Sequence, residues 1–223
     1  MIPVAPAPEP NDFDARVRRK GLNAIAELVG EAPPRPRRGP KRNKIADSRE
    51  EIPSEAFPPY WRDVLPEMLD SYRRICAYLA LYIEHATGSP SVDHVVPKSK
   101  AWNRAYEWSN YRLACSLINS KKNNLELALD PFSIAAGLFA LEFTELQVVA
   151  GAGAHGNARH QVVATIETLG LNMQECCNAR REYVALYESG PGHGGIGLPY
   201  LERRAPFIAQ ELRRQGRLLR GDV

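Results

Sequence analysis

Residues 91–122 gather the side chains of this chain that are best suited to chemistry. An acid and a histidine stand side by side at Asp93 and His94. Two carboxamides follow at Asn110 and Asn119, and two ammonium groups at Lys121 and Lys122. A proton acceptor, a carboxylate, neutral oxygen donors and cations are the types that phosphodiester hydrolysis uses. That reaction needs an activated water, neutralised phosphate charge and a stabilised leaving oxygen. Each residue also has a plainer reading, His94 as a packed strand histidine and the asparagines as turn formers.

The surrounding sequence indicates what must position them. Val92, Val95 and Val96 form a short β-branched run, and Pro97 cannot donate to a ladder, so a strand should stop there. A polar loop follows. Residues 110–115 then alternate loosely between apolar and polar, as a half-buried strand does. Residues 116–124 read as one or two helical turns carrying Asn119, Lys121 and Lys122. The local order is strand, loop, strand, short helix.

This stretch resembles the HNH endonuclease superfamily, the ββα-metal fold. The family pattern is met by Asp93, His94, Pro97, Ser99, Asn110, Asn119 and Lys122, over about thirty residues of the 223. The resemblance implies that His94 is the general base that deprotonates water, and that Asp93 and Asn119 hold one divalent ion against the scissile phosphate. It makes Asn110 a brace that aims His94. Lys98, Lys121 and Lys122 are candidate phosphate contacts on electrostatic grounds. Two oxygen ligands with room for water suit Mg²⁺ or Mn²⁺, which leads to the expectation of weak or inhibitory behaviour with Zn²⁺. Many members also carry two Cys-x-x-Cys knuckles around a structural zinc. Here the pairs read Cys76-x-x-Leu79 and Cys115-x-x-Ile118, so a closed tetrahedral site is not expected and the cysteines read as small buried hydrophobes.

The whole chain narrows the class. Its 223 residues suffice for a proper core, and 44% hydrophobic with 25% charged residues is ordinary for a globular protein. A net charge of +3 permits nucleic-acid binding without arguing for it. Four cysteines, two of them adjacent at Cys176 and Cys177, are no disulfide framework. Neither a signal peptide nor a membrane-length apolar run is evident, so no membrane partner and a cytoplasmic location are expected.

Taken in order, residues 1–10 are Pro- and Ala-rich and expected to be extended. Asp12 suits the cap of a helix running to about Val29, with Gly30 closing it. Residues 32–44 hold four prolines, one glycine and six basic residues, which predicts an extended linker, either a spacer or a basic arm along a phosphate backbone. Trp61, Val64, Leu65, Met68, Leu69, Tyr72 and Ile75 recur at helical spacing and predict a helix over 58–75, with Pro66 dividing or kinking it. Residues 76–84 continue apolar as helix or strand. In the loop after Pro97, Trp108 reads as core, whereas Trp102 is open between core and a stacking role.

Residues 138–149 read as a hairpin and Gly151-Ala-Gly153 as a loop. Residues 155–169 and 171–188 read as a helix pair separated by Gly170, the second starting on an Asn172/Glu175 capping box. Gly-rich residues 190–197 read as a tether before a final Arg-rich helix over 199–220. His155, His160 and His193 read as surface residues.

The expected fold is α+β, mostly helical, with an embedded ββα-metal element. The segments are 1–50 (helix and basic linker), 51–130 (nuclease core) and 131–223 (hairpin and helices). The expected function is metal-dependent hydrolysis of DNA. The resemblance extends to a partner ATPase or other subunit of an anti-phage or mobile-element system. Two alternatives are a non-catalytic binding subunit that keeps the HNH scaffold and an RNA-directed nuclease.

Overall fold

A computed structural model describes residues 1–35 and 37–222. Pro36, in the basic arm, and Val223 lie outside the described residues. The strand β1 (Pro90–His94) keeps only Val92 of the β-branched run, ending at His94 rather than at Pro97, and pairs antiparallel with β2 (Tyr111–Cys115). The register sets Val92 opposite Leu113, Asp93 opposite Arg112 and His94 opposite Tyr111. Chain direction reverses through residues 95–110, where irregular backbone and two short 3₁₀ turns replace a tight hairpin. A short helix starts at once after β2 at Ser116 and ends at Lys122.

Two further helices precede this element in the chain. The first, α1 (Arg19–Leu28), continues a π-helical turn at Asp14–Arg18 and closes before Gly30, whose φ is +84°. Asp12 does not cap it; the carboxylate pairs with Arg16 at 3.2 Å instead. Gly21 on α1 is a close-approach site, because a Cβ there would lie 2.1 Å from the Tyr106 ring.

The helix expected over 58–75 is shorter and divided. A 3₁₀ turn, Tyr60–Val64, leads into α2 (Leu65–Ser71), with Pro66 in its first turn, where the missing N–H costs nothing. Arg73 and Arg74 then take positive φ and end it. The short helix Ser116–Lys122 is thus α3. Residues 76–84 are neither helix nor strand. They form a buried turn pinned by Cys76 N–H to Leu81 O (2.9 Å) and Ala77 N–H to Leu113 O (2.8 Å). The Arg74 guanidinium also donates to the carbonyls of Ile83 and Glu84. Burial, not periodicity, explains their apolar composition.

Beyond residue 130, β3 (Phe139–Leu141) and β4 (Val148–Ala150) form the expected antiparallel hairpin. Then α4 (Gly156–Leu169) and α5 (Gln174–Ser189) follow, with Gly170 left-handed between them. The expected capping box is absent. Asn172 instead pairs with the backbone of Val148 (2.7 and 2.9 Å), which ties β4 to the helix pair. The final helix is two, α6 (Leu198–Arg204) and α7 (Pro206–Arg214), broken at Ala205 because Pro206 disfavours a helical residue before it. Three arginines of its Arg-rich stretch meet carboxylates, Arg213 with Glu202, Arg214 with Glu211 and Arg217 with Glu188.

The architecture is mixed α and β, helices around two small antiparallel sheets. One cluster of buried apolar side chains runs from Met1 to Leu212, so the segments 1–50, 51–130 and 131–223 share a core. The N-terminal residues strap across it, with Val4 N–H on Pro131 O and Ala7 bonded to both Tyr72 and Trp108. Both α2 and α3 pack on β1 and β2. Tyr111, Arg112, Leu113 and Ala114 are therefore all buried, and β2 is covered on both faces rather than half-buried. Among the described residues, no helix is long and apolar enough to cross a membrane.

Candidate active site

The end of β1, the start of the following loop, the Tyr60–Val64 turn and α3 enclose a cleft of about 270 Å³. Asp93, His94, Lys98 and Asn119 line it together with Trp61 and Arg62. Four of the seven expected site residues therefore share one cavity. The other three do not line it.

Asn110 is fully buried behind the cleft. Its carboxamide oxygen accepts from Val96 N–H (2.9 Å), and its amide donates to the carbonyls of Val96 and Arg104 (3.0 Å each). The start and the middle of the loop that follows His94 are thereby fastened to the residue that precedes β2. Lys121 is exposed in the last turn of α3.

Lys122 is a correction. It is completely buried, its Nζ 2.6 Å from His94 O and 3.0 Å from Asp93 Oδ1, so it is an internal counter-ion and not a phosphate contact. The physical reason lies in helix geometry. Asn119 and Lys122 are three residues apart on one face of α3, and that face lies on β1.

His94 is held from several sides. Its ring meets Trp61 edge-on at 4.7 Å and Tyr111 at 5.1 Å. Nε2 lies 2.9 Å from the carbonyl of Ala105, an acceptor only, so Nε2 carries the proton and Nδ1 keeps the basic lone pair. Among the described residues Nδ1 has no hydrogen-bond partner, and His94 lines the cleft. Burial, with Lys98 and Lys122 adding to it, holds the imidazole down at about 3. The ring is neutral throughout the physiological range.

Asp93 is 2% exposed and lies between two donors, Tyr78 O–H on one oxygen and Lys122 on the other. Burial first, and then Asp93, pushes the Tyr78 phenol far up, so Tyr78 remains a donor. Each carboxylate oxygen keeps a second lone pair. Asn119 donates weakly to Val92 O at 3.4 Å, which leaves its carboxamide oxygen free to accept. These two oxygens suit a hard cation that keeps most of its waters. No group of three or more His, Cys, Asp or Glu among the described residues could hold a metal, so any ion here relies on this carboxylate–carboxamide pair. It would also share Asp93 with the fixed charge of Lys122.

The cleft is cationic at its mouth. Lys98 Nζ lies 4.3 Å from the centre of the Trp61 ring. Burial and then the nearby Arg62 lower its pKa. Neither Lys98 nor Arg62 has a carboxylate within ion-pair distance among the described residues. Trp102 lies elsewhere, its indole on Glu50 and Arg49 over its ring, whereas Trp108 is core.

Sequence reasoning missed Tyr78, Trp61 and Arg62. The signals were present. A tyrosine in a buried aliphatic run needs a partner for its hydroxyl, and Trp61-Arg62 sets an aromatic ring beside a cation. The two knuckle cysteines, Cys76 and Cys115, are neighbours, and burial pushes the Cys76 thiol up. Leu79 and Ile118 are buried near them in the core. No protein-family model matches this chain, and no curated protein matches it significantly.

Proposed function

We propose that this protein is a metal-dependent endonuclease of the HNH type that hydrolyses phosphodiester bonds in DNA. The observation that carries the reading is the placement of His94. Its Nε2 is spent on a backbone carbonyl, which leaves Nδ1 as the basic nitrogen, and the residue lines a cleft that also holds a carboxylate, a carboxamide and two cations. The strand–strand–helix order of β1, β2 and α3, with Asn110 bracing the loop between the strands, is the arrangement that the family resemblance requires.

In this mechanism Nδ1 of His94 takes a proton from a water in the cleft. The Ala105 carbonyl stabilises the imidazolium that forms, because the proton on Nε2 already points at it. Lys98 and Arg62 offset the charge of the incoming phosphate. That phosphate also offsets Lys98, which adds to burial in lowering the His94 pKa, and so makes the imidazole a stronger base when substrate is present. Asp93, aimed by Tyr78 and Lys122, and Asn119 are the residues that would hold Mg²⁺ or Mn²⁺. The ion, when bound, supplies charge neutralisation at the phosphate and the leaving oxygen.

One observation favours a second reading. Lys122 already neutralises Asp93 inside the protein, as a site kept for structure alone would have it. A non-catalytic binding subunit is therefore the alternative. A plasmid-nicking assay separates the two. Wild type with Mg²⁺ should cut, EDTA should stop it, and His94→Ala should lose about 10²–10⁴-fold in rate with folding intact. Nicking that survives in His94→Ala at matched purity removes His94 as the base. Absence of cutting by wild type on plasmid, single-stranded DNA and RNA favours the binding subunit.

A further inference from the structure

The basic segment after α1 is not a free tether. Asn23 and Glu27, both on α1 and both buried, bond to it. The Asn23 amide donates to Arg35 O (3.1 Å) and its oxygen accepts from Arg35 N–H (3.2 Å). Glu27 takes the Arg37 guanidinium in two bonds (2.8 and 2.6 Å) and accepts from Arg42 N–H at 3.3 Å. Further along, Ile45 N–H reaches Leu28 O at 2.8 Å. A helix that buries an asparagine and a glutamate bears a desolvation cost, and here both are spent on holding this arm in one place.

What the arm and helix enclose is a second cleft of about 470 Å³. Arg19, Lys20, Arg35, Arg37 and Arg42 line it with Tyr60, and no acidic residue does among the described residues. Two guanidinium groups of the arm share the single carboxylate of Glu27, bidentate to Arg37 and 4.0 Å from Arg42, while on α1 Arg19 pairs with Asp14 (2.9 Å) and Lys20 with Asp63 (3.1 Å). Arg35 has no carboxylate partner among the described residues. Arg42 also donates to the Tyr60 hydroxyl (2.7 Å), and Lys20 lies 5.5 Å over the Tyr60 ring. Fixing like charges around an open space is unfavourable in itself and is offset when an anion fills that space.

The position of the second cleft completes the argument. Tyr60, Trp61 and Arg62 are consecutive on one 3₁₀ turn. Tyr60 lines the basic cleft, and Trp61 and Arg62 line the cleft of His94. Neighbouring Cα atoms are about 3.8 Å apart, so the two clefts border the same turn.

We infer that the cleft between α1 and the arm residues Arg35, Arg37 and Arg42 is a second phosphate-backbone site, which holds the DNA strand flanking the bond presented to His94. The inference rests on the nuclease reading for its substrate, but it concerns binding and is tested without cleavage. Anisotropy of a labelled duplex DNA, titrated in EDTA over a range of salt concentrations, reads both affinity and the number of phosphates neutralised. Arg35→Ala combined with Arg42→Ala should flatten the log–log salt slope by about two and weaken binding about tenfold or more at 0.1 M salt. Both side chains are exposed, so the melting temperature should hold. Asn23→Ala releases the arm without removing charge, and it should weaken binding while keeping most of the slope.

An unchanged affinity and slope in the double variant overturns the site. An unchanged affinity in Asn23→Ala overturns the claim that the arm must be held in place. Variant-sensitive binding to duplex RNA but not duplex DNA overturns the choice of ligand. A wild type that binds DNA as described but never cuts it ends the nuclease reading and leaves this cleft standing. A wild type that cuts, with a double variant that binds normally, ends the cleft alone.

Discussion

Replacing Lys122 with methionine tests the site's electrostatics without relying on activity. Methionine preserves most of the stem volume but removes the ammonium that lies 3.0 Å from Asp93 and 2.6 Å from His94 O. Asp93 is 2% exposed and Lys122 completely buried, so solvent cannot replace the lost partner. Breaking one side of a buried ion pair typically costs about 3–5 kcal/mol. For a chain of this length each kcal/mol moves Tm by about 2–4 °C, so a drop of about 6–20 °C is expected in EDTA. The same carboxylate then becomes the strongest cation site in the cleft. With a millimolar Kd, 10 mM Mg²⁺ should restore about 1.4 kcal/mol, or roughly 3–6 °C. Wild type should gain less, because Lys122 already occupies Asp93. Circular-dichroism melts of both proteins in EDTA and in Mg²⁺ read all four values. A variant that melts within a degree or so of wild type in EDTA would refute the buried pair, and one that gains nothing from Mg²⁺ would remove Asp93 as a cation ligand.

Asn110→Ala deletes three bonds and strands the Val96 N–H, Val96 carbonyl and Arg104 carbonyl. At about 1 kcal/mol per hydrogen bond lost, urea denaturation should show a loss of about 3 kcal/mol; a loss under about 0.5 kcal/mol would deny the brace. The depressed His94 pKa has a definite sign. The unfolded chain takes up a proton on this imidazole near 6.5 and the folded one only near 3, so this contribution is complete above pH 6.5 and is lost as pH falls toward 3. About 1.4 kcal/mol per pKa unit makes that ~5 kcal/mol, and denaturation at stepped pH should show His94→Gln losing less stability than wild type over this window. Cleavage should lack an acid limb at the ordinary imidazole value, and a limb centred near 6.5 in the free enzyme would contradict the burial of His94. Activity should appear with Mg²⁺ or Mn²⁺ and be weak with Zn²⁺, and Asn119→His should shift preference toward Zn²⁺; a wild type most active in Zn²⁺ would remove Asn119 from the ligand set.

Much of the fold around the site was legible in the order of residue types. The β-branched residues before Pro97, the loosely alternating run over 110–115 and the turns after it place β1, β2 and α3, because these signals act over two to four residues. The hairpin over 138–149 and the helix pair divided by Gly170 were legible for the same reason, since a left-handed residue between two helical runs favours glycine. Proline could be read less well. Pro66 and Pro206 mark helix starts, yet the apolar spacing ran across both and suggested single long helices.

Partners distant in sequence were not legible. Lys122 looked like a surface cation at the end of a helix, and its role is set by Asp93 and His94, twenty-eight and more residues earlier. Tyr78, Trp61 and Arg62 come from segments whose apolar pattern indicates only that they are covered, not by what. The basic arm has the composition of a solvated linker, and only the buried Asn23 and Glu27 of α1 hold it in place. By itself the sequence determined which groups are available for chemistry and the local elements that carry them. The tertiary structure alone decided which charges are spent internally and which face the cleft, because desolvation and ion pairing depend on neighbours that only the folded chain brings together.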